Sequence, residues 1–166
     1  NLSVSTGTVV AGNIVNGNGN GIGNIGSSSV YFNTVFAQAT SAQYADLAEK
    51  YSTDANYEPG TVVVFGGEKE ITQSTSYMDN RLAGVISTNP AYLMNAGADG
   101  LPVALQGRVP CKVVGKIEKG DMLVSSAIPG VAAATYSPQM GTVIGKALEN
   151  YDSQEVGIIE VVVGRV

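Results

Sequence analysis

Histidine and tryptophan are absent from this chain, cysteine occurs once, and charged residues fill only 14% of its 166 positions. Without histidine there is no Ser-His or Cys-His catalysis, and the commonest transition-metal ligand is missing. The lone Cys111 excludes an intrachain disulfide. Its setting, RVPCKVVG, alternates Val109, Cys111 and Val113, the pattern of a buried strand thiol rather than a nucleophile. Basic residues number 9 against 14 acids, for a net charge of -5, and form no cluster. Nucleic-acid binding, which depends on neutralising phosphates, is therefore not expected. No apolar run approaches the roughly 20 residues of a membrane span and the opening residues do not have the pattern of a secretory leader, so no membrane insertion is expected, although a leader removed from a longer precursor would leave the same sequence. No motif calls for a cofactor or a metal.

What is present divides sharply near residue 40. Residues 1 to 36 hold a dense patch of Asn, Gly and Ser between short β-branched runs, without one charged side chain. Within it, GNGNGIGNIG (17–26) carries the G-x-G-x-x-G spacing of a dinucleotide loop at Gly21, Gly23 and Gly26. That loop needs a helix after the last glycine to receive the pyrophosphate. SSSVYFNTVFA follows instead, rich in β-branched and aromatic residues, and argues against the nucleotide reading. The Asn-Gly pairs at Asn16, Asn18 and Asn20 suit tight turns with positive φ. A solitary chain of this composition has little to fold around. The segment reads either as a linker or as an extended shaft wrapped with identical chains, and its missing charge favours wrapping.

From Tyr51 onward, short apolar runs alternate with Gly and Pro punctuation. YEPGTVVVFGG supplies a turn at Pro59 and Gly60 and a strand from Thr61 to Phe65. RLAGVIST, LPVALQGRVPCKVVG, DMLVSS, GVAAATY, GTVIGKALE and EVGIIEVVVGRV continue in the same way. These runs predict an all-β fold: an extended Gly/Asn-rich segment over 1–39, then a compact β-barrel or β-sandwich-like domain over 40–166. TSAQYADLAEKY admits a short helix, with Thr40 and Gln43 as a capping box and Tyr44, Leu47, Ala48 and Tyr51 at helical spacing. A short strand competes there.

The stretch NIGSSSVYFNTVFAQATSAQYADLAEKY resembles the distal part of virion structural proteins of tailed bacteriophages, above all tail-fibre-like proteins of T4-like phages of cyanobacteria and other marine bacteria. The likeness continues through YEPGTVVVFGG, DNRLAGVISTNPAYLMN, LPVALQGRVPCKVVGKIEKGDMLVSS and GTVIGKALE. It implies a virion location, a homotrimer whose globular end registers three chains, and contact with other virion proteins or a host-surface glycan.

A more distant resemblance is to the self-cleaving intramolecular-chaperone, or peptidase G2-like, domains that end phage appendage proteins. Their Ser-Ala-Asp-Tyr-Ala-Glu type sequence aligns with Ser41, Ala42, Gln43, Tyr44, Ala45 and Asp46. By that likeness cleavage would fall at Ser41, Ala42 or Gln43, with Asp46 as the catalytic acid/base and Glu49 as its partner. Gln43 replaces an acid and Asp46 is shorter than glutamate, so the chain is expected to persist uncut.

Peptide hydrolysis by carboxylates needs one group to activate water and another to protonate the leaving amine. Asp46 and Glu49 would share a helical face but sit on opposite faces of a strand. The plain alternative is a pair of surface acids beside Lys50. Tyr77, Tyr92 and Tyr136 are candidate aromatic contacts for a sugar ring, or else packing residues. Asp79, Asn80 and Arg81 read as a turn with a local ion pair. NPAYLMNAGADG offers loop oxygens for sugar or calcium, although it lacks the regular ligand spacing of an EF-hand.

Overall fold

The computed structural model describes residues 6–19 and 22–164; Asn20 of the Asn-Gly series and Gly21 of the G-x-G-x-x-G spacing lie outside them. The chain divides into two units, Asn1–Ala39 and Thr40–Val166.

In the first unit the described residues form turns and bends, without strand or helix, and all are exposed. No helix follows Gly26, which removes the dinucleotide reading. The asparagines make turns: Asn16 Oδ1 accepts the Asn18 amide at 3.0 Å, and Asn16 Nδ2 donates to the Gly19 carbonyl at 2.8 Å. Ser27 closes a second turn, its amide donating to the Val30 carbonyl at 2.7 Å while its hydroxyl accepts the Val30 amide at 3.0 Å.

The second unit is all-β, with no helix among the described residues. Its strands are Asp46–Tyr51 (β1), Val62–Phe65 (β2), Ile71–Gln73 (β3), Leu82–Ile86 (β4), Tyr92–Met94 (β5), Leu101–Ile117 (β6), Met122–Ser125 (β7), Ala132–Thr135 (β8), Val143–Ala147 (β9) and Tyr151–Val163 (β10). Of the stretch that admitted a helix, Asp46–Tyr51 is strand β1 and residues 40–45 are neither helix nor strand.

Five strands close a barrel in the order β6-β10-β9-β7-β8 and back to β6. The antiparallel seam of β6 with β10 runs from Gly107–Val163 to Ile117–Tyr151, and a parallel contact of Val113 with Ala132 completes the ring. Closure leaves no unpaired edge within the ring, so the architecture is a barrel rather than a sandwich. Its interior holds Val109, Cys111, Val113, Leu123, Ile144, Ile159 and Val161. Burial pushes the Cys111 thiol up to about 12 and leaves it a packing group.

The remaining strands enclose a second core. β4 joins β6 on one side, β2 and β3 follow, and β1 pairs antiparallel with β6. An isolated bridge between Thr53 and Ile71 brings β3 back beside the end of β1. Val63, Ile71, Ile86 and Val103 fill this space against Tyr51, Tyr57 and Leu101.

The division of neighbouring residues between the cores explains the sequence. Val62, Val85 and Ala104 face the barrel, whereas the adjacent Val63, Ile86 and Val103 face the second core. A wall buried on both faces needs apolar residues at consecutive positions, hence the run VVV in β2. Each fully buried valine contributes about 1.5–3 kcal/mol.

Candidate functional site

β1 begins at Asp46, the first charged residue of the chain, and lies where β6 passes from one neighbour to another. Gly107 of β6 pairs with both Asp46 and Val163. The backbone around Asp46 is fixed on two sides: Arg108 N donates to the Ala45 carbonyl at 3.1 Å, and Ala91 N donates to the Asp46 carbonyl at 2.8 Å. The second bond carries β5 alongside β1 in parallel, with Tyr92 opposite Leu47.

Asp46 is only 6% exposed. Its Oδ2 has no hydrogen-bond partner among the described residues, and neither has the Oγ of Ser87, which is 3% exposed. An enclosed polar atom without a partner costs about 1–3 kcal/mol, more when it carries charge. Asp46 lines two cavities, of about 350 and 480 Å³, and Ser87 lies on the wall of the smaller.

Glu49 is three positions along the strand from Asp46, about 10 Å at a strand's rise. Its carboxylate accepts the Tyr51 hydroxyl at 2.8 Å. Burial, then that hydrogen bond and the adjacent negative charge, pushes the Tyr51 phenol up to about 12. Glu49 lines neither cavity, and no hydrogen bond joins it to Asp46. Ser41, Ala42 and Gln43 are exposed and precede β1, with Gln43 on the wall of the smaller cavity.

The three tyrosines separate into two places. Tyr77, 52% exposed, directs its hydroxyl to Thr135 Oγ1 at 3.5 Å, next in sequence to the 85% exposed Tyr136. Tyr92 stands on β5 and lines the larger cavity beside Asp46.

Asp79 and Arg81, read from the sequence as a local ion pair, are partners in the structure. Asp79 accepts from Arg81 N at 2.9 Å, Nε at 3.0 Å and Nη2 at 2.7 Å, and the guanidinium holds its carboxyl below the usual range. The Asp79 amide donates to Ser125 Oγ, tying this turn to β7. In the loop around β5, Asn95 adopts a left-handed conformation and donates to the Lys50 carbonyl, while Lys50 Nζ donates to the Ala98 carbonyl. Asp121 closes its turn by accepting the Glu118 amide at 2.8 Å.

Sequence reasoning missed Ser87, Arg108 and Glu160, which share the smaller cavity with Asp46. They come from segments far apart in the chain, and only the strand pairing around β6 brings them together. No group of three or more His, Cys, Asp or Glu residues suited to a metal converges among the described residues. No described helix is long and apolar enough to cross a membrane. The chain matches no protein-family model and no curated protein.

Proposed function

We propose that this chain is a structural module of a bacteriophage tail fibre or related appendage, which holds three identical chains in register within the virion. The observation that carries the reading is the contrast between the units. Residues 9–36 of the first unit expose eleven large apolar side chains, from Val9 to Phe36, and the unit has no charge. The second buries two cores of its own. Apolar surface left uncovered on such a scale is a liability for a free monomer and a resource for association. Glycine-rich segments have weak intrinsic register, so a folded domain attached to them would supply the alignment.

Sedimentation of the whole chain tests the oligomer. The expected result is a species of three chains of 17.0 kDa each at micromolar concentration. A monomer would end the proposal. Because the segment is uncharged, 0.5 M salt should leave the trimer intact, whereas an assembly held by exposed ion pairs would weaken.

The module persists as an uncut chain in this reading. Support comes from Glu49, which is engaged with Tyr51 and lies about 10 Å along the strand from Asp46, and from Gln43, which cannot ionise and so cannot act as an acid or base. Intact mass after long incubation of the purified oligomer should remain a single species of 17.0 kDa. Fragments divided near residues 41–43, and abolished by Asp46→Asn, would establish self-cleavage instead.

A further inference from the structure

The Asn-Gly pairs of the first unit carry a chemistry of their own. An asparagine side-chain amide is open to displacement by the backbone nitrogen of the next residue, because the two are adjacent along the chain and close a five-membered ring. Glycine in that next position has no Cβ and leaves its nitrogen unshielded. Asn16 precedes Gly17 and Asn18 precedes Gly19, and all four residues are exposed. A Cβ built on Gly17 or Gly19 would meet nothing within 4 Å, and neither glycine amide donates a hydrogen bond among the described residues. Both nitrogens are free to react.

The two asparagine side chains differ. That of Asn16 is tied at both ends: its Oδ1 accepts the Asn18 amide at 3.0 Å, and its Nδ2 donates to the Gly19 carbonyl at 2.8 Å and to the Ile22 carbonyl. The Asn18 side chain makes no hydrogen bond among the described residues. To bring its Cγ onto the following nitrogen, Asn16 has to give up bonds that close the turn, whereas Asn18 gives up none. A tenfold difference in rate corresponds to about 1.4 kcal/mol, and one net hydrogen bond is of that order.

We propose that Asn18 is a site of spontaneous deamidation, and that the hydrogen bonds of the Asn16 side chain protect the neighbouring pair from the same reaction. The Gly19 nitrogen bonds to Asn18 Cγ, the bond from Cγ to Nδ2 breaks, and Nδ2 leaves as ammonia with the proton that the Gly19 amide gave up. Water then opens the cyclic imide at either carbonyl. Opening at Cγ restores the Gly19 amide and leaves aspartate; opening at the main-chain carbonyl leaves isoaspartate, with the chain routed through Cβ. Nothing is oxidised or reduced, and water is the one co-reactant. Either product places a carboxylate in a segment without charge and takes the chain from -5 to -6 (-5 - 1). The reaction does not rest on the oligomeric reading above.

Incubation of the purified whole chain in mildly alkaline buffer, followed by site-resolved peptide mass mapping, tests the proposal and separates Asn18 from Asn20. Asn18 should convert about tenfold faster than Asn16 or more. Asn24 precedes Ile25, whose β-branched side chain crowds the attacking nitrogen, and should remain an amide. In guanidinium chloride, which dissolves the turn, Asn16 and Asn18 should convert at similar rates. Asn18→Gln, whose longer side chain would need a six-membered ring, should abolish the fast step. The proposal is overturned if Asn18 stays an amide in the native chain over a time in which it converts in guanidinium, or if Asn16 keeps pace with Asn18 in the native chain. Sedimentation of the same sample keeps the two readings apart: a monomer that deamidates at Asn18 ends the trimer alone, and a trimer that keeps Asn18 intact ends this proposal alone.

Discussion

Gly107→Ala is expected to destabilise the compact unit by about 3–5 kcal/mol, near the upper end for a single substitution. Two separate costs combine at this position. Gly107 has φ of 108°, a backbone conformation that a side chain strains by about 1–3 kcal/mol. An added Cβ would also be driven into the Ala45 carbonyl oxygen and to 2.8 Å from Asp46 Cα. Those are backbone atoms at the entry to β1 and cannot turn aside as a side chain would. Gly107 is where β6 pairs with β1 and β10 at once, so relief of the clash must loosen one seam.

Gly115→Ala provides the control. This glycine lies on the same strand with φ of 86°, but its Cβ would meet nothing within 4 Å. Only the conformational cost remains, about 1–2 kcal/mol. Urea unfolding of the two variants should therefore separate them by about 2 kcal/mol or more. Equal losses would mean that backbone conformation, not contact at the junction, is what the glycine provides.

The all-β class was legible because Gly and Pro interrupt the apolar runs too often for long helices. LPVALQGRVPCKVVG was readable as one run, and the structure makes it most of the 17-residue β6. Whether the strands formed a barrel or a sandwich was not legible. That choice rests on the pairing of β6 with β10 and β8, contacts between residues tens of positions apart. At β1 the spacing of Tyr44, Leu47, Ala48 and Tyr51 satisfied a helix as well as a strand. The ladder to β6 decided it, a tertiary effect that local spacing does not carry. Strand geometry then holds Asp46 and Glu49 apart along β1.

The candidate site was half readable. Asp46 stood out through resemblance, and Asn89, on the wall of the smaller cavity, belonged to a loop noted for its oxygens. Ser87 and Glu160 gave no local signal: a serine after a strand and a glutamate within one are ordinary. Burial without a partner made the first noticeable, and the register of β10 placed the second beside Pro110.

Asp at three exposed apolar positions of the first unit, Val15, Val30 and Phe36, is expected to convert the oligomer to monomer at micromolar concentration. These side chains are 83%, 75% and 96% exposed in the single chain. If association covers them, each contributes about 1.5–3 kcal/mol, and three substitutions in each of three chains remove nine such contributions. Every 1.4 kcal/mol is tenfold in the equilibrium, so even partial burial carries the dissociation constant far above the working concentration. A carboxylate forced into the same contact adds a desolvation cost of its own. Mass photometry reads the outcome, and thermal unfolding by circular dichroism should show the barrel melting as before, because no described residue of the first unit belongs to either core. Met140→Asp puts the same charge on a 98% exposed residue of the barrel unit and should leave the oligomer unchanged. A triple variant that still assembles as a trimer would transfer the association to the barrel and leave the uncharged segment as a passenger.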